Sequence, residues 1–323
     1  MSLHPDSQKL LEMIQQSGRP SYEDMNVDQA RTAYAAGRDA TMGSLHPVAE
    51  IENLTVDGPV GAVPVRLYRP RAREEGALPL LVYFHGGGWV LGGIESHDGL
   101  CRRLAAVSGC AVASVEYRLA PEHPFPAALY DARAALCALV RMADDLRIDP
   151  SRIGLGGDSA GGTLAAVAAL EARERNGPAI AFQLLLYPVC DMVMDTPSHT
   201  EFAEGHLLTR KTLKWFSSHY LGATDPSDWR ASPLQAADLR KLPPTLILTA
   251  GCDPLRDEGE AYGRRLVEAG VPTTIWRVNG MLHGFLPMDK LISASVPTLN
   301  AVAGFLSLGL AQTCHLSSTH FTN

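Results

Sequence analysis

Arg152-Ile153-Gly154-Leu155-Gly156-Gly157-Asp158-Ser159-Ala160-Gly161-Gly162 is the stretch on which the reading of this chain turns. It starts as a short apolar strand and passes through Gly157-Asp158-Ser159-Ala160-Gly161, a G-x-S-x-G pattern. It then runs into an Ala-rich helical segment expected over 161–175. A serine at the tip of a tight strand-to-helix turn needs small residues two positions away on either side, because the backbone there closes too tightly for a Cβ. The same turn points the free amides of a helix N-terminus at an oxygen that gains negative charge. Ser159 is therefore the candidate nucleophile. The overlapping run from Gly154 imitates a dinucleotide-binding fingerprint, but Ser159 stands where its third glycine belongs.

Outward from this turn, residues 80–84, 111–115, 182–186 and 246–248 are continuous apolar runs, the texture of strands covered on both faces. Residues 63–68 alternate apolar and polar, which predicts a half-exposed antiparallel edge, and 274–276 reads as the last strand. Helical spacing falls between them at 100–107, 127–142, 258–269 and 297–308. Strands alternating with helices predict an α/β chain with a mostly parallel sheet wrapped by helices. Two regions break the rhythm. Residues 1–50 carry two helical stretches, one with Leu10, Leu11 and Ile14 on a single face, separated by the break Gly18-Arg19-Pro20. Residues 191–243 carry a helical, aromatic-bearing insertion with Leu213, Trp215, Phe216 and Tyr220. The expected organisation is thus 1–50 as N-terminal helices, 51–190 and 244–310 as the two parts of the core, 191–243 as an insertion, and 311–323 as a polar, frayed tail.

Three consecutive glycines follow the strand at 80–84, in His85-Gly86-Gly87-Gly88-Trp89. Such a run is costly in backbone entropy unless the backbone itself is used. Amides aimed at a ligand are such a use, and Gly87, Gly88 and Ala160 N–H together would form a three-donor oxyanion hole. His85 reads as an anchor for this loop rather than a proton acceptor. A serine hydroxyl is a weak nucleophile and needs a base. Of the eleven histidines, His283 is best placed, in Asn279-Gly280-Met281-Leu282-His283-Gly284-Phe285, a loop after the last strand. In the order nucleophile, acid, base, the acid must lie between 159 and 283 at a strand end. Asp253 meets both conditions in Gly251-Cys252-Asp253-Pro254-Leu255-Arg256-Asp257, and is favoured over Asp257, which could merely start the next helix with Glu258.

At these residues the chain resembles the hormone-sensitive-lipase-like esterases, a bacterial family that pairs H-G-G-G with G-D-S-A-G-G. The resemblance extends to Tyr117-Arg118-Leu119-Ala120-Pro121-Glu122, His123-Pro124-Phe125-Pro126-Ala127, Tyr187-Pro188, Asp253-Pro254-Leu255-Arg256-Asp257-Glu258 and His283-Gly284-Phe285, and so spans nearly the whole chain. It implies the α/β-hydrolase fold, with a mostly parallel sheet of about eight strands under a helical cap built from 1–50 and 191–243. It also implies Ser159, Asp253 and His283 as a triad, Gly87, Gly88 and Ala160 as oxyanion donors, and hydrolysis of small, water-soluble esters with short to medium acyl chains. A ligand-binding protein on the same scaffold, as in the plant gibberellin receptors, is the alternative, and the presence of His283 speaks against it. Amidase or lactonase chemistry would use the same machinery.

The 323 residues are 46% hydrophobic and 20% charged, the balance of a globular chain, with a formal net charge of −7 and no basic block suited to nucleic acid. No run approaches the ~20 apolar residues of a bilayer span, and the N-terminus shows no export or transit pattern, so a cytoplasmic protein with no membrane partner is expected. The six cysteines are scattered, without C-x-x-C or metal-ligand spacing, which predicts reduced packing residues for most of them. The acyl transfer that the resemblance implies requires no metal or organic cofactor. A small-molecule ester is the expected partner, and a second copy of the chain is the one macromolecular partner left open.

Overall fold

The computed structural model describes residues 2–311. Two helices, α1 (Pro5–Ser17) and α2 (Val27–Thr41), precede strands β1 (Glu50–Gly58), β2 (Gly61–Arg69) and β3 (Leu78–Phe84). Then come α3 (Asp98–Ser108), β4 (Ala111–Val115), α4 (Ala127–Arg141), β5 (Ile148–Asp158), α5 (Ala160–Glu174) and β6 (Phe182–Leu186). Two helices, α6 (Pro197–Glu201) and α7 (Arg210–Leu221), precede β7 (Thr245–Cys252), α8 (Arg256–Glu268), β8 (Thr273–Leu282) and α9 (Ser295–Ala311). One eight-stranded sheet has the order β1-β2-β4-β3-β5-β6-β7-β8, antiparallel at β1, β2 and β4 and parallel from β4 through β8. This is the α/β-hydrolase fold, with helices on both faces of the sheet.

The apolar runs became strands buried along their length: every residue of β4, β6 and β7 is buried. The alternating 63–68 segment did pair antiparallel, but inside the sheet rather than at its edge, with β1 on one side and β4 on the other. The edge is β1, whose residues are mostly exposed or half-buried. It pairs with β2 over its whole length, from Glu50 opposite Arg69 to Gly58 opposite Gly61. The last strand also runs further than expected. Its pairing with β7 shifts register between Ala250 and Cys252, Gly280 takes φ +74°, and the ladder resumes at Cys252 opposite Leu282. Residues 279–282, expected as loop, are therefore strand. The tail expected over 311–323 lies outside the described residues except for Ala311, the last residue of α9.

Local chemistry explains the two leading helices. Gly18 ends α1 in the left-handed conformation, φ 62°, and its amide donates to the Gln15 carbonyl. Asn26 and Gln29 exchange side-chain and backbone hydrogen bonds in a capping box that opens α2. Both helices are tied to the sheet's C-terminal side. Arg31 forks onto Glu122 with two 2.7 Å bonds and also donates to the Val90 and Ala120 carbonyls, while His4 N–H donates to the Gly280 carbonyl. Thr212 of α7 donates to Glu23, between α1 and α2, at 2.8 Å. Five described cysteines are free thiols. Among the described residues no helix is long and apolar enough to cross a membrane, and no group of His, Cys, Asp or Glu is arranged to hold a metal.

Candidate active site

β5 ends at Asp158 and α5 begins at Ala160, so Ser159 alone makes the turn. It does so at φ 54°, ψ −122°, a conformation L-residues rarely adopt and one that stores strain. The turn is held by Ser159 N–H on the Leu186 carbonyl at 2.9 Å. Gly161 sits where a β-carbon would collide with the Phe84 and His85 carbonyls, so only glycine lets the helix approach β3 this closely. The Ser159 hydroxyl lies 2.9 Å from His283 Nε2, and His283 Nδ1 lies 2.7 Å from Asp253 Oδ2. His283 follows β8, Asp253 follows the adjacent β7 and Ser159 follows β5, one strand further across β6, so the ends of three parallel strands deliver the three side chains to one end of the sheet. Asp253 is fully buried, and its second oxygen accepts Leu255 N–H at 2.9 Å. Asp257 is not at His283: its carboxylate accepts Ser198 N–H and Arg256 Nε–H.

The glycine loop after β3 lies against the same turn. Gly87 and Gly88 take φ +122° and +62°, line one cavity with Ser159 and His283, and their amides donate to no acceptor among the described residues. Ala160 is the first residue of α5, where helical amides have no partner within the helix. The cavity measures about 610 Å³, and its wall, built also from α1, α2 and α7, is mostly aliphatic and aromatic. The Phe216 ring of α7 lies against Gly88, where a β-carbon would have to stand.

A family model of the alpha/beta hydrolase fold matches residues 81–287. The carboxylic ester hydrolase LipN of Mycobacterium tuberculosis is 43% identical over 270 residues, 81% of this chain and 71% of that protein. An ethyl acetate hydrolase of Pseudomonas putida is 38% identical over 306 residues, 90% of this chain and 94% of that one. Among solved structures, an ester hydrolase from the metagenome of Lake Arreo, complexed with a bipyridine phosphonate derivative, superposes with a TM-score of 0.93 at 40% identity, covering 96% of this chain and all of that one. The chain belongs to the hormone-sensitive-lipase-like family of α/β hydrolases. It is a carboxylic ester hydrolase.

In this esterase the sequence reading missed what holds the glycine loop. Asp158, fully enclosed beneath the turn, accepts Gly86 N–H at 2.8 Å and the Tyr83 hydroxyl at 2.8 Å, and lies 3.2 Å from His97 Nε2. Burial alone would push its carboxyl up. The nearby His97, Arg38 and the Tyr83 hydroxyl more than offset that and hold it well below the usual carboxylate range. The motif contained Asp158, but Tyr83 and His97 are distant in sequence and carried no signal of their own. His85 is buried, stacked on Tyr117 with ring centroids 4.2 Å apart, and its Nδ1 lies 2.9 Å from the Gly86 carbonyl. Burial and the neighbouring His97 push it down to about 3, so it stays neutral. The ring's described contacts are the Gly86 carbonyl, His97 and Tyr117.

Proposed function

We propose that the esterase works through a covalent acyl-enzyme formed on Ser159. His283 Nε2 takes the hydroxyl proton as Ser159 Oγ attacks the ester carbonyl, and the carbonyl oxygen becomes an oxyanion held by the amides of Gly87, Gly88 and Ala160. The carbon–oxygen bond to the alcohol then breaks, and the same proton passes from His283 to the departing alkoxide. Water repeats the cycle: it gives a proton to His283 and attacks the acyl carbon, and Ser159 Oγ leaves and recovers the proton. Asp253 accepts Nδ1–H, which fixes the useful tautomer and stabilises the imidazolium. The observation that carries this reading is the unbroken chain Asp253–His283–Ser159, at 2.7 and 2.9 Å, beside three amides free to receive charge.

We read α1, α2 and the 191–243 segment as a cap over this centre, and the substrates as dissolved esters with short to medium acyl chains, turned over in the cytoplasm without a lipid interface. A methylene contributes ~0.8 kcal/mol only while apolar wall remains to bury it, and a cavity of about 610 Å³ lined in part by Phe216 and α1 side chains is finite. The relative named for ethyl acetate is consistent with small esters. The test is steady-state kinetics on p-nitrophenyl butyrate. Ser159→Ala and His283→Ala should each lower kcat by roughly 10⁴- to 10⁶-fold with unchanged circular dichroism. Retained turnover in either variant removes the reading, and a matching amide hydrolysed as fast as the ester would make this an amidase.

A further inference from the structure

Arg38 stands on α2 at the wall of the cavity that holds Ser159 and His283. It is only 8% exposed. Nη2 donates to the Tyr34 hydroxyl at 2.8 Å, and the guanidinium lies 4.9 Å from the Tyr34 ring centroid. Nε and Nη1 are buried and have no hydrogen-bond partner among the described residues. Nη2 also comes within 3.9 Å of the point where a side chain on Gly284 would begin, so the cation sits beside the residue that follows His283.

A guanidinium cannot shed its proton in a protein, so the charge persists wherever it is buried. Burying it without a counter-ion is costly, and leaving its donors unmade adds to the cost. The acid that acts on it, Asp158, spends its oxygens on Gly86, Tyr83 and His97. The other charged side chains on the described cavity wall, apart from His283, are Arg19 and Lys290. Six acids adjoin wall residues in sequence: Glu23 accepts from Thr212, Asp191 from Val193 N–H and Gln235, and Asp289 from Gly43 N–H, while Glu12, Asp39 and Asp195 are exposed to solvent. The cavity wall is therefore mostly apolar and carries three cations against the single carboxylate of Asp158, and its most buried cation, held by Tyr34, has no carboxylate hydrogen-bonded to it among the described residues and two donors unused.

We propose that Arg38 determines specificity by receiving a carboxylate carried by the ester itself, so that the preferred substrates are monoanionic esters: half-esters of dicarboxylic acids or acylated hydroxy acids. A planar fork with unused donors matches a carboxylate better than any neutral group of the same size. Holding Tyr34 in place would not require a charge. This inference rests on the reading of Ser159 as nucleophile.

The experiment measures kcat/KM by pH-stat on matched pairs. Monoethyl glutarate against ethyl pentanoate places the charge on the acyl side, and 4-acetoxybutanoate against butyl acetate places it on the alcohol side. The wild type should favour the anionic member of at least one pair, and that pair names the side that faces Arg38. Arg38→Met should lower kcat/KM for that anionic ester roughly 10- to 100-fold more than for its neutral partner, the worth of a charge-assisted hydrogen bond. Arg38→Lys should fall between, with the effect mainly in KM. A wild type that prefers the neutral member of both pairs overturns the proposal whether or not the variants fold, as does an Arg38→Met loss equal on both members. Failure of the nucleophile reading looks different: neutral esters would then be turned over by Ser159→Ala.

Discussion

Asp158→Ala removes one carboxylate from beneath the nucleophile, in a fully buried place, and takes away the acceptor of the Tyr83 hydroxyl, the charged partner of His97 Nε2 and the 2.8 Å acceptor of Gly86 N–H, which keeps only a 3.4 Å contact with His97 Nε2. Each orphaned donor costs about 1–3 kcal/mol, and breaking a buried charged pair costs about 3–5 kcal/mol, so allowing for relaxation the loss is about 3–5 kcal/mol in all. At roughly 2–4 °C per kcal/mol for a chain of this order of size, the thermal midpoint should fall by roughly 6–20 °C. The functional effect comes through Gly86. Freed from Asp158, it no longer fixes the two glycines that follow, and loss of a single oxyanion donor is worth roughly 10²–10³ in kcat. Loosening should cost less than deletion, roughly 10- to 100-fold in kcat with KM within about threefold. Asp158→Asn, which can still accept from Gly86, should lie between. The pH dependence has a definite sign. A carboxyl held below its unfolded value of ~3.9 contributes stability that is fully present above that pH and is lost as pH falls through the lower, folded value. The gap in midpoint between wild type and Asp158→Asn should therefore be constant from neutral pH to about 5 and narrow in stronger acid. Calorimetry and p-nitrophenyl butyrate kinetics measure both effects. An Asp158→Ala variant with kcat within threefold of wild type, or a midpoint gap that widens in acid, would refute the argument.

Two further outcomes are expected. Asp253→Asn should lower kcat by roughly 10⁴-fold, because an amide beside Nδ1 favours the wrong tautomer, whereas Asp257→Asn should affect stability and leave kcat within about tenfold; the reverse ranking would move the acid to Asp257. Across p-nitrophenyl esters from acetate to palmitate, kcat/KM should climb with acyl length while the wall buries added methylenes and then fall as overfilling costs ~1–3 kcal/mol. A maximum at palmitate, or a jump in rate once tributyrin droplets form, would point to an opening cap and interfacial catalysis.

The elements closest to Ser159 were the most legible. Small residues around the serine, and strands buried on both faces, are demanded by geometry and leave a dense local signal, so residues 80–84, 152–161 and 246–253 read correctly from sequence. β1 did not, because an edge strand with one solvated face can be as polar as Glu50-Ile51-Glu52-Asn53, and only its partner β2 makes it a strand. The end of β8 was hidden by a register shift that belongs to the pairing with β7 and has no counterpart in either segment alone. Asp158 and Arg38 were visible as residues but mute as to role. What they do depends on Tyr83, His97, Tyr34 and Gly284, brought near them only by the fold. The choice of Asp253 over Asp257 rested on strand-end position, and the structure places Asp253 at His283 and Asp257 at Ser198 and Arg256.

The central claim, that chemistry passes through a covalent bond to Ser159, is tested most directly by intact-protein and peptide mass spectrometry after treatment with a p-nitrophenyl alkylphosphonate. This probe loses p-nitrophenolate to a nucleophilic serine and leaves a stable mimic of the tetrahedral intermediate. The account predicts a single adduct on the peptide containing Ser159, formed in step with the loss of esterase activity and absent from Ser159→Ala and His283→Ala. Modification of another residue accompanied by loss of activity, or full activity in protein labelled at Ser159, would contradict it.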